Sequence, residues 1–434
     1  MAHQGEKGLR GRLKFGIKLG LERIKKMLEL AGNPQERFKA IIVGGTNGKG
    51  SVSHMLAKVL SESGYKVGLY TSPHLVSYRE RIRVDGMPIS EHDFERLANW
   101  AEEIARRVER DEGLDAPTEF ELLTLMACQY FCDECVDISV MEVGLGGRYD
   151  ATNALSPMLS ILTIVSLDHT DRLGRTHLEI ANDKIGITRP DVPLVTAEHK
   201  FGVLEFIQSY CYLHRIPLRV VGKDVRWKKL WASYEGICGD YKTWRSIYPE
   251  LKCSLGGDFQ FSNLGCVVAA VELLRQMGMG ITEERFRVGV GNVKCYGRLD
   301  VLHRNPFVVA DGAHNPAAAS SLSRALRTLF PYKRLGLVIG IMSDKDVYGI
   351  LGALAPLADV IFATQAQTER AFKAHELARA ASMWGKPVHV HDSVQRAYEA
   401  AREWAEDEDM VCVTGSIYVI GELPEYQHLA LQPI

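Results

Sequence analysis

Residues 41–56, IIVGGTNGKGSVSHML, begin as an apolar strand, pass through glycines and continue with helical character. In such a unit the backbone N–H groups of the loop converge on an anion at the helix N-terminus. Lys49 can then reach the β- and γ-phosphates of a nucleotide, and the hydroxyl of Thr46 or Ser51 can bind Mg²⁺. The pattern therefore predicts a phosphate-binding loop rather than a plain glycine turn.

The usual form of this loop has Ser or Thr directly after the lysine, whereas Gly50 separates Lys49 from Ser51 here. The insertion moves the metal-binding hydroxyl by one residue. We expect the nucleotide contacts to come from the whole stretch: Gly45, Thr46, Asn47, Gly48, Lys49, Gly50 and Ser51.

Polar residues also stand where other predicted strands end. Glu142 closes the buried run VMEVG, where a carboxylate is costly to desolvate without a cation, so metal binding explains it better than helix capping. A histidine in the position of His169 is more often structural than a ligand. Asp311 and His314, in DGAHNP, form a glycine-flanked pair that favours a functional role.

Cys128, Cys132 and Cys135 have the C-x3-C-x2-C spacing of radical enzymes that hold an iron–sulfur cluster. The run TEFELLTLMACQYF has helical spacing, which favours burial of Cys128 as a small apolar side chain. Nine cysteines without a secretory signal indicate reduced thiols rather than disulfides. We therefore expect structural cysteines.

The chain has 434 residues, too many for one core of the usual size, so we expect two or three domains. Its net charge of −2 lacks the basic bias of nucleic-acid binding. No apolar run approaches the roughly 20 residues that a membrane helix needs. The basic residues 1–20 resemble a mitochondrial presequence in composition, but the helical spacing that follows favours residues 1–40 as part of the fold. We expect a cytoplasmic protein that acts on small molecules, with no nucleic-acid or membrane partner.

Strands alternate with helices along the chain. The runs AIIVGG, KVGLYTS, ISVMEVG, LSILTIVS and VPLVTA alternate with helical segments at 51–63, 91–110 and 118–133, which predicts a mostly parallel, helix-covered sheet. These strands are predicted to end near residues 44, 72, 144 and 168, and open α/β sheets bind ligands at such ends.

Residues 222–258 are rich in aromatic and charged residues and predict a small antiparallel insertion. After helices at 262–277 and 282–290, strand character returns and a second α/β series follows. We place the domain boundary near Gly297. The predicted fold class is α/β, with a P-loop domain over residues 1–296 and a smaller Rossmann-like domain over residues 297–434.

The spelling GTNGKGS resembles that of the folylpolyglutamate synthase and dihydrofolate synthase family, a branch of the Mur ligases, which form amide bonds with ATP. Gly50 is typical of that family. Other segments resemble it in the same order, over residues 20–425: LERIKKMLELAGNP, TSPHLVSYRERIRVDGMPIS, PTEFELLTLMACQYF, MEVGLGGRYDATNAL, SLDHTDRLGRTHLEIANDKIGITRP, GRLDV, DGAHNP, SDKD and GSIYVIGE.

The resemblance implies a monomeric ligase that uses ATP and two Mg²⁺ ions to join L-glutamate to a pteroate or folate carboxylate through an acyl phosphate. It implies that residues 1–296 form an ATP-binding domain of the Mur ligase central type and residues 297–434 a glutamate-binding domain. The acceptor is dihydropteroate, a reduced folate or both. The alternatives are another Mur-type amide ligase and a P-loop ATPase without ligase activity.

The resemblance also implies roles for single residues. Lys184 corresponds to a lysine that CO₂ converts to a carbamate, which requires a neutral amine and a lowered pKa, whereas an ordinary lysine lies at the surface. The catalytic candidates are Lys49, His169 and Lys184. The metal ligands are Ser51, Ser72, Glu142 and His169, with Asp168 beside them. Further ATP contacts are Asn263, Arg298 and Asp311.

The remaining implied contacts concern the two other substrates. His314 and Ser416 are expected near glutamate, and Phe120, Arg148 and Asp150 near the pterin, although Phe120 fits core packing equally well. The chain departs from the family at Phe259, where histidine is usual, and at Tyr296, close to the hinge. TERAFKAHEL also replaces a more usual Arg-Ala-Leu-Pro stretch.

Overall fold

The computed structural model describes residues 9, 11–12, 20–429 and 431–434. Most of residues 1–20, the stretch with the composition of a presequence, lie outside this description. Within it, two separate sheets and a small third sheet carry the fold. The helices are α1 Glu22–Leu30, α2 Lys49–Glu62, α3 Glu91–Asp111, α4 Glu119–Asp133, α5 Thr170–Leu173, α6 His177–Lys184, α7 Phe201–Leu213, α8 Gln260–Gln276, α9 Glu283–Gly291, α10 Pro316–Leu329, α11 Val347–Leu354, α12 Ala374–Ala381, α13 Val394–Trp404, α14 Ile417–Gly421 and α15 Pro424–Leu429.

The first sheet has eight strands in the order β4-β3-β2-β5-β1-β6-β7-β8. All neighbouring pairs are parallel except those that β3 makes with β2 and β4. This order puts β1, which leads into the phosphate-binding loop, at the centre of the sheet. The strands are β1 Lys39–Gly44, β2 Val67–Tyr70, β3 Ile82–Val84, β4 Met87–Pro88, β5 Ile138–Glu142, β6 Pro157–Leu162, β7 Leu194–Thr196 and β8 Leu218–Val220.

Helices cover both faces of this sheet, which explains why β1 is apolar along nearly its whole length. Ile41 and Val43 belong to a core that includes side chains of α2, α8 and α9. Ile42 points to the opposite face and belongs to a core with side chains of α1, α3 and α4. The predicted parallel, helix-covered sheet is confirmed.

The antiparallel insertion predicted within residues 222–258 is also confirmed. It consists of β9 Arg226–Ala232, β10 Ile237–Lys242 and β11 Ile247–Cys253, in the order β11-β10-β9. Tyr241 is fully buried, and its hydroxyl donates to the carbonyl of Phe261 in α8 at 3.0 Å. The small sheet is thereby fixed to the helix that covers the first sheet.

The second large sheet has six strands in the order β12-β13-β17-β14-β15-β16, parallel except for β12 with β13. Val309 faces a core with α10 and α11, and its neighbours Val308 and Ala310 face a core with α13. The strands are β12 Asp300–Arg304, β13 Phe307–Ala310, β14 Leu335–Ile339, β15 Val360–Ala363, β16 Val388–Val390 and β17 Met410–Thr414.

The prediction that β6 continues to Asp168 is wrong. The strand ends at Leu162, which pairs with Gly44 at the end of β1. Thr163 N–H donates to the Gly44 carbonyl at 2.9 Å, and its hydroxyl donates to the Asn47 carbonyl at 2.7 Å. Asp168 and His169 therefore lie on an irregular loop that leads away from the strand.

Candidate active site

The phosphate-binding loop connects β1, which ends at Gly44, to α2, which begins at Lys49. Gly45 has φ +134° and Gly48 has φ +89°, values that favour glycine. A Cβ atom at Gly45 would collide with the Thr163 hydroxyl. Glycine is therefore needed at both positions, and the loop keeps a backbone conformation in which N–H groups can converge on a phosphate at the helix N-terminus.

The polar side chains of the loop are held in place by hydrogen bonds. Thr46 N–H donates to the Ile164 carbonyl at 2.7 Å, and its hydroxyl accepts the Ser166 N–H at 3.0 Å. Lys49 Nζ donates to the Thr46 carbonyl at 3.2 Å. The lysine is thus folded back over the loop, at the place where the sequence predicted a phosphate contact.

Glu142 is 4% exposed at the end of β5 and accepts the Ser72 N–H at 3.3 Å. Burial raises the pKa of its carboxyl group, while the charges of Lys49 and Arg298 oppose that rise. A Cβ atom at Gly50 would lie 3.8 Å from Glu142 Oε2 and 3.9 Å from Arg298 Nη2. The carboxylate therefore borders the phosphate-binding loop between two cations, a setting that suits a metal ligand.

Lys184 is the last residue of α6 and is 4% exposed. Its Nζ donates to the Gly45 carbonyl at 3.0 Å. Burial, followed by the charge of Lys49, lowers the pKa of Lys184 to about 7. The ordinary surface position is thereby excluded for this lysine, and a large fraction of its amine is neutral near pH 7.

Asp168 and His169 meet Lys345, which follows β14 in the SDKD segment. Lys345 Nζ lies 2.7 Å from Asp168 Oδ1 and 2.9 Å from His169 Nε2. Burial opposes ionisation of Asp168, but the hydrogen bond from His314 and the charge of Lys345 hold its pKa well below the usual range. Burial and the Lys345 charge lower the pKa of His169 to about 4.

The sequence pattern of the SDKD segment predicts no role for Lys345 itself. Its side chain is only 7% exposed, although lysine is rarely buried without a partner. The available signal was a lysine between two acids just after an apolar run. That signal does not reveal Asp168, which lies 177 positions away in the chain.

The remaining residues assigned to ATP and glutamate lie at three places. Asn263 Nδ2 donates to Gln260 Oε1 at 2.8 Å, and Gln260 Nε2 donates to the Ser51 hydroxyl at 3.3 Å. Asp311 is buried and accepts the N–H groups of Leu299 and Ala313, each at 2.8 Å. Ser416 is buried and caps the N-terminus of α14, where its hydroxyl accepts the Tyr418 N–H.

The three residues assigned to the pterin lie beside β5 and the loop after it. The Phe120 ring is 5.7 Å from the Tyr70 ring and packs closely against Gly144. Asp150 is buried and accepts hydrogen bonds from the loop itself, including the Gly144 N–H at 3.0 Å and the Thr152 hydroxyl at 2.6 Å. Arg148 Nη2 donates to the Asn182 carbonyl at 3.1 Å. Phe120 thus packs at the edge of the core with its ring only partly buried, and Asp150 orders the loop.

The donor set suits Mg²⁺ with a nucleotide better than a metal held by protein alone. Between residues 20 and 429, no three His, Cys, Asp or Glu side chains form a group that could hold a metal ion. Cys128 is buried and Cys135 exposed, so the cysteine spacing creates no cluster site there. The Ser51 hydroxyl and the Glu142 carboxylate fit a metal ion whose remaining ligands are phosphate oxygens held by the loop.

Known proteins carry the same two-part organisation. The Mur ligase middle domain matches residues 43–271, and the Mur ligase glutamate ligase domain matches residues 297–417. The dihydrofolate synthase/folylpolyglutamate synthase of Bacillus subtilis strain 168 is 32% identical over 418 residues, which cover 96% of each chain. The chain belongs to the folylpolyglutamate synthase/dihydrofolate synthase family. As a member of this branch of the Mur ligases, it is an ATP-dependent ligase.

Solved structures of this family share the fold. The folylpolyglutamate synthase of Mycobacterium tuberculosis complexed with ADP aligns with a TM-score of 0.91 and 30% identity, over 99% of this chain and 100% of that one. The bifunctional folylpolyglutamate synthase/dihydrofolate synthase of Yersinia pestis, complexed with AMPPNP and a Mn ion, aligns with a TM-score of 0.82 and 27% identity over 99% and 100%. The predicted fold class and family are confirmed.

The described part of this ligase contains no helix with the length and apolar character needed to cross a membrane.

Proposed function

We propose that this ligase adds L-glutamate to the carboxylate of dihydropteroate or a reduced folate, with ATP as the energy source. The observation that carries this proposal is the contact of Asp168, beside the phosphate-binding loop, with Lys345 and His314 of the second domain. Asp168, next to the loop, meets Lys345 at 2.7 Å and His314 at 3.5 Å. The name of the Bacillus subtilis relative supports this acceptor class.

The first half-reaction activates the acceptor. An oxygen of its carboxylate attacks the γ-phosphorus of ATP, the bond to the β-phosphate oxygen breaks, and ADP leaves an acyl phosphate behind. Attack of one anion on another is electrostatically opposed, so cations and backbone donors must compensate the charge. Lys49 and the N-terminus of α2 supply this compensation in the proposed site.

The second half-reaction forms the amide. The neutral amino group of glutamate attacks the acyl carbon, the carbon–oxygen bond to phosphate breaks, and the lost proton balances the charge of the released phosphate. Lys345 and His314, which meet beside Asp168, provide hydrogen-bond donors for the carboxylates of glutamate. Ser416, at the start of α14, completes the proposed glutamate contacts.

Two Mg²⁺ ions belong to the proposal, held by Ser51, Ser72, Glu142 and His169. When bound, they supply positive charge to the phosphate oxygens. We also propose that Lys184 carries CO₂: its neutral amine adds to the carbon of CO₂ and releases one proton. The lowered pKa and the buried position beside Gly45 support this modification.

The other parts of the proposal concern substrate contacts and organisation. Arg298, Asp311 and Asn263 contact ATP, while Phe120, Arg148 and Asp150 border the pterin. The boundary near Gly297 separates the two functional domains. The monomeric state and the cytoplasmic location stay predictions.

The product identifies the acceptor. The protein is incubated with Mg-ATP and L-glutamate, and with dihydropteroate or tetrahydrofolate in separate reactions, and the products are read by mass spectrometry. We expect at least one acceptor to gain a glutamyl residue. If neither acceptor gains a glutamyl residue while ATP is still cleaved, the proposed function is contradicted.

A further inference from the structure

Asn47 and Asn315 join the phosphate-binding loop to the second domain through a reciprocal pair of hydrogen bonds. Asn47 Nδ2 donates to Asn315 Oδ1 at 3.2 Å, and Asn315 Nδ2 donates to Asn47 Oδ1 at 3.0 Å. The two residues are 268 positions apart in the chain. The pair therefore forms only when the second domain lies against the loop.

The amide of Asn315 has a partner at every donor and acceptor position. Its Nδ2 also donates to Asp168 Oδ2 at 3.1 Å, and its Oδ1 also accepts the Ala318 N–H at 2.9 Å, which caps α10. The residue is 2% exposed. A buried amide with both donors and both acceptor positions in use has one orientation, so it fixes the Asn47 side chain as well.

The backbone of Asn47 is equally well held. Thr163 Oγ1 donates to the Asn47 carbonyl at 2.7 Å, and Asn47 forms an isolated bridge with Ile164. The loop thus presents the Asn47 amide to the second domain from a fixed position. Each such bond gains little over a bond to water, which suits a contact that opens and closes in every catalytic cycle.

We infer that the Asn47–Asn315 pair is a closure latch that couples ATP cleavage to amide formation. The inference rests on the proposed function. While the latch is closed, the acyl phosphate meets glutamate; when it is open, water attacks the acyl phosphate and returns the carboxylate and free phosphate. Both asparagines are positioning residues. Loss of the pair therefore increases the ATP consumed for each amide formed.

The latch is tested with Asn47→Ser, Asn315→Ser and the double variant. Serine at position 315 keeps the acceptor that caps α10 and removes both amide donors. ADP and incorporated glutamate are measured in one reaction, with the acceptor that the wild type uses. We expect each single variant to raise the ADP-to-amide ratio by roughly three- to ten-fold. The double variant should resemble Asn315→Ser, because that single variant already removes the Asn47–Asn315 pair together with the bond to Asp168.

Arg304→Ala is the matched control. Arg304 makes an exposed ion pair with Glu235 across the same two parts of the chain, at 2.5 Å and away from the loop. Its removal is expected to leave the ADP-to-amide ratio unchanged. An unchanged ratio in Asn47→Ser and Asn315→Ser overturns the latch, and if Asn315→Ser fails to fold, Asn47→Ser decides.

A second readout does not depend on catalysis. Small-angle X-ray scattering is recorded with a non-hydrolysable ATP analogue, and we expect a larger radius of gyration for the serine variants than for the wild type and Arg304→Ala. Equal radii overturn the latch. A wild type that adds glutamate to neither acceptor refutes the proposed function instead, and the scattering comparison still decides the latch.

Discussion

The Nζ atom of Lys184 lies 3.0 Å from the carbonyl oxygen of Gly45, so a buried lysine borders the phosphate-binding loop. Burial lowers its pKa to about 7. Only the neutral amine reacts with CO₂, and the neutral fraction rises as the pH increases through 7. We predict that activity falls in CO₂-free buffer and returns when CO₂ is supplied, and that, compared at equal concentrations of dissolved CO₂, this reactivation is faster at pH 8 than at pH 6.

The carbamate itself is detected by NMR with carbon-13 bicarbonate. Lys184→Arg, which keeps a positive charge that does not react, should lose both the signal and the response to bicarbonate. Lys200→Arg is the matched control, because that lysine lies near Glu198 outside the phosphate-binding loop. A wild-type signal that survives in Lys184→Arg would show that another group carries the CO₂.

Lys49→Ala is predicted to fold and to lose ligase activity by about 10²–10³-fold, because it removes a cation from the phosphate that is transferred. The measurements are amide formation at saturating substrates and the midpoint of thermal unfolding. Lys58→Ala, on the same helix but paired with Glu62, is the control and should retain activity. Wild-type activity in Lys49→Ala would remove the lysine from the mechanism.

Lys345→Met is predicted to raise the pKa of His169 above its value of about 4, because the Lys345 charge adds to burial in lowering it. It also leaves Asp168, whose side chain is 9% exposed, with fewer partners, which should destabilise the protein by about 1–3 kcal/mol. NMR titration, assigned with His169→Gln, measures the pKa. Lys333→Met, which breaks an exposed pair with Glu408, should leave both quantities unchanged. An unchanged pKa of His169 in Lys345→Met would contradict the contact between Lys345 and His169.

Tyr234→Ala is predicted to weaken the docking of the second domain. The Tyr234 ring, between β9 and β10, stacks on Phe330 with centroids 5.0 Å apart and contacts the edge of Phe307. Each aromatic pair is worth about 0.5–1.5 kcal/mol. Calorimetry should show a lower midpoint of thermal unfolding for Tyr234→Ala than for the wild type. Tyr212→Ala is the control: Tyr212 is 86% exposed, so its midpoint should not change. Equal midpoints would refute a stabilising role for the ring.

Local sequence patterns were sufficient to predict those elements whose structure depends on one short segment of the chain. The strand, glycines and helix around Lys49 lie within one continuous stretch, so their spacing predicts the loop. The end of β6 was not predictable in this way, because it depends on where the partner strand β1 ends: Leu162 pairs with Gly44, and the Thr163 hydroxyl already bonds the Asn47 carbonyl of the loop. The contacts of Lys345 were not predictable either, because its partners Asp168 and His169 are distant in the chain.

The burial of Lys184 shows a second limit. The spacing of its neighbours in the sequence predicts a helix but not how deeply the Lys184 side chain is buried. The lowered pKa follows from that burial, which the packing of α6 against the loop produces. Only the family resemblance singled out this lysine beforehand. The resemblance likewise proposed Asp150 as a substrate contact, whereas the structure shows its carboxylate engaged with Gly144 and Thr152.

The most direct test of the central claim follows one oxygen atom. The acceptor is prepared with oxygen-18 in its reacting carboxylate, and the phosphate released during glutamate addition is examined by mass spectrometry. Transfer of the γ-phosphate to the carboxylate predicts that each released phosphate carries one oxygen-18 atom. Released phosphate without the label, while amide accumulates, would mean that ATP does not activate the carboxylate and would contradict the account.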